Sequence, residues 1–257
     1  MIKNSNIGKK IIGVLLALLM LLAVLAVAFK IYAGKYYRTD TEITDQIHRE
    51  VEESVNSYKD KDGMVFIPQD QDAKAVIVFY PGGKVEYTAY STLMYELAER
   101  GFICILPRMP ENLAFLRINA VDMLTSKYAG EVELVENLDW YLAGHSLGGV
   151  AAATYLESNK EKYAGIILCA SYTTVDFSGS DLRLLSIYGS EDKVLNMDNY
   201  SESKTNWPKN SEEYVIKGGI HSYFGSYGLQ DGDGTPTITN EQQLVEAADV
   251  ISTFCSE

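Results

Sequence analysis

The sequence predicts an α/β fold, built on a doubly wound, mainly parallel sheet and preceded by an N-terminal transmembrane helix. From about Ala75 onward, short apolar runs alternate with helical stretches, which is typical of successive βαβ units. Before them lies an unbroken apolar run over residues 11–29. As a helix this run spans about 28 Å, close to the hydrocarbon thickness of a bilayer.

The apolar run over 11–29 has two interpretations. As an uncleaved anchor, it leaves residues 1–10 as a short cytoplasmic N-terminus, because a terminus bearing lysines normally stays inside. As a cleaved signal peptide, it uses Lys9 and Lys10 as the basic segment and residues 26–28 as the cleavage site. The run is longer than the usual signal core of about 7–15 residues, which favours a single-pass anchor in the lipid bilayer. Secretion after cleavage is the alternative, and both place the remaining chain outside the cytoplasm.

The charge is distributed unevenly along the chain. The first 38 residues hold six basic residues and no acidic one, which leaves 16 basic against 35 acidic residues for the rest. Because a body this acidic repels phosphate backbones, we expect no nucleic-acid partner. The 47% hydrophobic and 22% charged content is that of a globular protein.

The domain organisation predicted after the anchor is a polar stalk or linker over 30–61 and an α/β domain over 62–257. Within the stalk, Ile43, Ile47 and Val51 recur every four residues, which predicts a helix. Equally, the Asp-Gly pair at residues 62–63 predicts a hairpin that pairs 51–58 with 64–68. The sequence does not separate these alternatives.

The regular elements of the α/β domain follow from its apolar runs and turn signals. The strands are predicted at 75–80, 102–106, 138–143, 164–170, 182–188 and 213–217, and the helices at 87–100, 113–124, 149–158, 197–206 and 241–254. The three cysteines, Cys104, Cys169 and Cys255, are too scattered for a disulfide framework or a zinc site. We therefore predict no metal. We also predict no Cys104–Cys169 bridge, because the strands that bear these two residues are not neighbours in the usual strand order.

The segment 144–149, Gly-His-Ser-Leu-Gly-Gly, lies between a predicted strand and a predicted helix. In that context G-x-S-x-G predicts a nucleophile elbow with Ser146 as the nucleophile. A serine hydroxyl needs an adjacent base, and the chain has three histidines. His48 lies in the stalk and His145 points away from Ser146, whereas His221 follows a late strand, at the sheet edge where ligands bind. We therefore predict His221 as the base.

The imidazole also needs a carboxylate, which must lie between 146 and 221 in the order serine, acid, histidine. Asp192 follows the strand predicted at 182–188 and is the preferred candidate. Its neighbour Glu191 and the earlier Asp176 are the alternatives.

The oxyanion of an acyl-transfer intermediate needs two hydrogen-bond donors. The backbone N–H of Leu147 is one, because it follows the nucleophile at a helix N-terminus. The loop 80–84 after the strand at 75–80 supplies the other, from Gly83 or alternatively Lys84. Lys84 is also a candidate substrate-binding residue.

Two further features follow His221 in the sequence. Tyr223 and Phe224 are candidates for lining the substrate pocket, with ordinary aromatic packing as the alternative. The segment 231–234, Asp-Gly-Asp-Gly, lacks the spacing of a calcium loop and is expected to be a solvated turn near the site.

Over residues from about 62 to 255 the sequence resembles the α/β-hydrolase superfamily, in particular its small dienelactone-hydrolase-like branch (alpha/beta hydrolase family 5 type). The stretches that carry this resemblance include VIVFYPGGKVEYTAY, LAGHSLGGVAAA, LLSIYGSEDKV and GGIHSYFGSYGLQDGDGTPTIT. The resemblance implies a serine-hydrolase triad of Ser146, Asp192 and His221 that works without a cofactor.

The predicted function is hydrolysis of a small-molecule carboxylic ester through an acyl-enzyme. The alternatives are acyl transfer, or thioester or amide hydrolysis, on the same triad, and a non-catalytic surface binding module. The 11 residues over 171–181 are too few for the helical cap that covers many α/β-hydrolase sites. We therefore expect an open cleft without a large cap.

Overall fold

The strands of the protein form one mixed sheet. The computed structural model describes residues 3–69, 71–122 and 137–256. Its eight strands are β1 (Val55–Lys59), β2 (Gly63–Pro68), β3 (Ala75–Tyr80), β4 (Phe102–Pro107), β5 (Asp139–His145), β6 (Gly165–Cys169), β7 (Arg183–Gly189) and β8 (Asn210–Ile216).

The sheet order is β1-β2-β4-β3-β5-β6-β7-β8. β1 and β2 pair antiparallel with their neighbours, whereas β4, β3 and all later strands run parallel. The predicted mainly parallel sheet of the α/β-hydrolase type is confirmed. In β3, all six side chains are fully buried, because helices cover both faces of a parallel sheet.

The described helices include α1 (Lys3–Ala33), α2 (Thr41–Val51), α3 (Ser91–Glu99), α4 (Leu147–Glu157), α5 (Met197–Ser203) and α6 (Asn240–Ser256). α3 and α6 cover one face of the sheet, where Leu93 and Ile251 share a core with Ile77. α4 covers the other face, where Ala152 shares a second core with Val78. This arrangement is doubly wound, as predicted.

The chain divides into two compact units, Met1–Tyr36 and Tyr37–Glu257. In the first unit, the 26 residues Gly8–Ala33 form a helix long and apolar enough to cross a membrane. This helix is consistent with a signal anchor or a signal peptide.

The second unit begins before the boundary predicted at residue 62. The N–H of Tyr37 donates a hydrogen bond to the Lys84 carbonyl at 2.8 Å, in the loop after β3. Asp40 caps the N-terminus of α2, since its Oδ1 accepts the N–H of Glu42 at 3.1 Å, and Val51 at the end of α2 is buried in the core. Residues 37–61 are therefore part of the body and not a separate stalk. The helix and the hairpin that the sequence offered as alternatives both form, one after the other.

Some predicted elements differ from the structure at their ends. The helix expected at 87–100 starts as a 3₁₀ turn, Tyr87–Tyr90, and becomes α-helical in α3. The helix expected at 113–124 starts later than predicted: the 3₁₀ turn Ala114–Leu116 follows Pro110–Asn112, and α-helical backbone begins at Ala120 and continues through Asp122. Residues 123 and 124 lie outside the described residues. The connection between β6 and β7 is as short as predicted and carries no helix.

Candidate functional site

Ser146 lies in the sharp turn between β5 and α4, with φ 52° and ψ −127°. A residue other than glycine rarely adopts a positive φ, so this backbone is strained. The turn is held on both sides: the Ser146 N–H donates to the Cys169 carbonyl at 3.0 Å, and its carbonyl accepts the Ser171 hydroxyl at 2.7 Å. This geometry is that of a nucleophile elbow.

The glycines around Ser146 are required by close backbone approach. A β-carbon at Gly144 would lie 2.6 Å from both the Gly148 carbonyl carbon and the Gly149 nitrogen. A β-carbon at Gly148 would collide with the carbonyl oxygens of Tyr80 and Pro81. Glycine at these positions lets the first turn of α4 lie directly against the end of β3.

His221 and Asp192 form a buried pair at the carboxyl edge of the sheet. His221 Nδ1 lies 2.9 Å from Asp192 Oδ2, and the two side chains are only 2% and 1% exposed. Asp192 Oδ1 accepts the backbone N–H groups of Val194 and Leu195, both at 2.8 Å. Because a carboxylate oxygen only accepts hydrogen bonds, Nδ1 carries the imidazole hydrogen and Nε2 keeps its lone pair.

His221 Nε2 is the ring nitrogen that Asp192 leaves without a partner. Within the described chain, Nε2 is buried and has no hydrogen-bond partner. Ser146 and His221 line the same small cleft of about 160 Å³. A histidine with an unpartnered ring nitrogen and a serine hydroxyl therefore line the same cavity.

The side chains of the other candidate acid and base residues bond other partners than the His221 imidazole. Glu191 accepts the Ser190 hydroxyl at 3.0 Å, and the exposed Asp176 accepts the Ser178 N–H at 2.9 Å. His48 bonds the Tyr95 hydroxyl through Nδ1 at 2.9 Å. Of the three predicted acids, the structure brings Asp192 to the imidazole of His221.

The remaining cleft walls come from α4 and from the segments after β6 and β7. The lining residues not predicted from the sequence are Val150, Ala170, Ser171, Tyr172, Val194, Leu195 and Asn196. Residues 170–172 directly follow β6 at its carboxyl end, and residues 194–196 lie in the loop after β7. The general rule that ligands bind at this edge is the signal that would have found them.

The two predicted oxyanion donors are neighbours in space. A β-carbon at Gly83 would lie 2.6 Å from Leu147 Cδ1, which places the loop after β3 against the start of α4. Leu147 is the first residue of α4, where backbone N–H groups have no partner inside the helix. By contrast, the Lys84 N–H donates to the Asn112 carbonyl at 2.8 Å. The alternative donor, Lys84, is therefore already engaged.

The three candidate substrate-binding residues do not line this cleft. Lys84, Tyr223 and Phe224 are all missing from its wall. Phe224 is fully buried, with its ring 5.7 Å from that of His145, and the Tyr223 carbonyl accepts the side chain of Asn240 at 3.2 Å. For Phe224, the expectation of pocket lining is corrected to aromatic packing in the core.

His145 belongs to a buried network under the site. Its Nε2 lies 3.1 Å from the His221 carbonyl, which only accepts, so Nε2 carries the hydrogen. Nδ1 then accepts the Tyr90 hydroxyl at 2.8 Å, and that hydroxyl accepts the Gly82 N–H at 3.0 Å. Burial, and secondly the nearby His221, lower the pKa of His145 well below its usual range. A neutral His145 therefore links the loop after β3 to the His221 backbone, and Tyr90 was not predicted from the sequence.

No group of three side chains that could hold a metal ion occurs among the residues the structure describes. The expectation of a reaction without metal or cofactor stays a prediction.

Comparison with known protein families matches residues 76–245 to the model of the Alpha/beta hydrolase family. The matched region covers more than half of the chain and contains Ser146, Asp192 and His221. Comparison with curated proteins gives no match.

Proposed function

Because the chain belongs to the Alpha/beta hydrolase family, we propose that it is a serine hydrolase that cleaves a small-molecule carboxylic ester through an acyl-enzyme. One observation carries this proposal. His221 has its Nδ1 held by Asp192 at 2.9 Å and its Nε2 without a partner, and it lines the same cleft as Ser146. A fixed tautomer with a free lone pair beside a hydroxyl is the arrangement that activates a serine nucleophile.

In the proposed reaction, Ser146 Oγ attacks the ester carbonyl carbon while His221 Nε2 takes the hydroxyl proton. The imidazolium that forms is stabilised by the Asp192 carboxylate. The N–H groups of Leu147 and Gly83 bind the oxyanion, and one such donor stabilises the transition state by about 2.7–4 kcal/mol. The alcohol leaves with the proton from Nε2. Water then attacks the acyl-enzyme through the same base, which releases the acid and restores Ser146.

We propose that this domain works outside the cytoplasm, tethered to the bilayer through residues 11–29. The length and apolarity of Gly8–Ala33 support the anchor. Membrane fractionation of the full chain distinguishes the anchor from a cleaved signal. Recovery of the full-length chain in the membrane fraction supports the anchor, whereas a soluble mature chain that starts near Phe29 contradicts it.

A fluorophosphonate probe tests the proposed chemistry on the full chain in detergent. We expect covalent labelling of Ser146, identified by mass spectrometry, and loss of labelling in Ser146→Ala. His221→Ala should slow labelling by several orders of magnitude, because the triad acts as a unit. His48→Ala is the matched control and should label normally, since His48 contacts Tyr95 instead of the site. Unimpaired ester turnover by Ser146→Ala would refute the mechanism.

A further inference from the structure

The turn that carries His221 is held by a carboxylate from a separate loop. Asp233 Oδ1 accepts the backbone N–H of His221 at 3.2 Å. Asp233 Oδ2 accepts the backbone N–H of Ser222 at 2.8 Å and the Ser222 hydroxyl at 2.8 Å. Both oxygens of one side chain therefore bind the first two residues of this turn.

A second side chain holds the preceding residue. Gln243, in α6, is fully buried, and its Oε1 accepts the Ile220 N–H at 2.9 Å while its Nε2 donates to the Ile220 carbonyl at 2.8 Å. His145 Nε2 donates to the His221 carbonyl at 3.1 Å. Every backbone N–H and C=O of residues 220 and 221 thus binds a side chain. The position of His221 depends on these side chains, because β8 ends at Ile216.

The Asp233 loop also lies against the turn that carries Asp192. A β-carbon at Gly234 would collide with the Glu191 carbonyl oxygen, so this glycine permits direct backbone contact. The Glu191 N–H in turn donates to the Gly219 carbonyl at 2.9 Å. Residues 231–234 therefore contact both turns that bring the His221–Asp192 pair together. The expected solvated turn has a half-buried side chain at its centre, that of Asp233.

We propose that Asp233, together with Gln243, is a positioning residue of the proposed hydrolase. It fixes the backbone of His221 so that Nδ1 meets Asp192 while Nε2 faces Ser146. The proposal rests on the proposed function, because it assigns His221 the role of general base. A displacement of about 1 Å in a reacting group can lower the rate by about 100-fold. Losing this anchor should therefore affect turnover more than substrate binding.

The test compares two substitutions in one loop, Asp233→Asn and Asp231→Asn, in the full chain in detergent. Asn has nearly the shape of Asp, but its NH₂ group replaces one acceptor and faces N–H donors. Asp231→Asn makes the same change of charge at an exposed side chain two residues away. The measurements are kcat and KM for p-nitrophenyl butyrate, with kcat expressed per serine titrated to completion by the fluorophosphonate probe.

We expect Asp233→Asn to lower kcat per titrated serine about 10- to 100-fold and to change KM by less than about threefold. Asp231→Asn should match the wild type. If Asp233→Asn does not fold, Gln243→Leu provides the second variant, because it loses both the acceptor for the Ile220 N–H and the donor to the Ile220 carbonyl and should lower kcat per titrated serine similarly. An unchanged kcat per titrated serine overturns the proposal, even where fewer molecules are folded. A wild type that does not label at Ser146 overturns the proposed function instead.

Discussion

Replacing Ser146 by glycine and by alanine separates the strain at this position from its chemistry. Both variants lose the proposed nucleophile and should be inactive. Alanine keeps a β-carbon in a backbone with φ 52° and ψ −127°, whereas glycine has none. The two variants therefore differ in how well they tolerate this conformation.

The difference in the free energy of unfolding between the two variants follows from two opposing effects. A residue held in a sparsely populated backbone region is destabilised by about 1–3 kcal/mol, which glycine relieves. Glycine also lowers the free energy of unfolding by about 0.5–1 kcal/mol relative to alanine, because an unfolded chain with glycine has more conformational freedom. We expect Ser146→Gly to be about 1–2 kcal/mol more stable than Ser146→Ala. For a body of this size, that difference raises the Tm by about 2–8 °C.

Differential scanning calorimetry of the two variants under identical conditions measures this difference. Urea titration of both gives the same comparison at constant temperature, and equal m values would show that the unfolded states match. A Ser146→Gly variant no more stable than Ser146→Ala would show that the elbow stores no strain, and the argument from the φ of Ser146 would fail.

Three further predictions concern the acid, the acyl group and the stability. Asp192→Asn should lower turnover by about 10⁴-fold, because the His221 imidazole loses the partner that fixes its tautomer. Glu191→Gln should keep a turnover near that of the wild type. A larger loss in Glu191→Gln than in Asp192→Asn would reassign the acid. The cleft has a volume of only about 160 Å³, so a long acyl chain cannot gain the roughly 0.8 kcal/mol that each buried methylene contributes. We therefore expect p-nitrophenyl esters from acetate to butyrate to have a higher kcat/KM than esters of about 12 or more carbons. Rates that rise steadily to palmitate would reveal a deep tunnel. Burial lowers the pKa of His145 well below its ordinary value of 6.5. As the pH falls through 6.5, the unfolded chain therefore takes up a proton at this residue before the folded chain does. The free energy of unfolding is fully retained above pH 6.5 and falls below it by up to about 1.4 kcal/mol per pH unit. Urea titrations from pH 7.5 to 5 should therefore show a flatter dependence in His145→Gln than in the wild type, and equal slopes would contradict a buried neutral His145.

The sequence by itself determined the parallel strands and the elbow. β3 is recognisable because a strand buried on both faces is a short continuous apolar run. Ser146 is recognisable because a backbone turn this tight requires glycines at fixed positions beside it. Both signals are local, since they depend on residues close together in the chain.

Local patterns were less reliable where two structures suit the same residues. The four-residue spacing up to Val51 and the Asp-Gly turn at 62–63 suggested competing elements, yet α2 and the β1–β2 hairpin both form. Neither is a stalk, because Val51 and Val55 are buried in the common core. Burial of this kind depends on what the fold places beside a residue, which its own spacing does not contain.

The tertiary structure decided which polar groups meet. Asp192 and Glu191 are adjacent in the chain, but the turn after β7 directs Asp192 to His221 and Glu191 to Ser190. Asp233 is 12 residues from His221 in the chain, and its contact exists only because its loop folds back onto the turn. Side-chain direction in a turn and contact between distant segments depend on the packed arrangement of the whole domain. For that physical reason, the residue types of the site were readable from the sequence, whereas the pairing of Asp192 with His221 and the anchoring of the His221 backbone needed the fold.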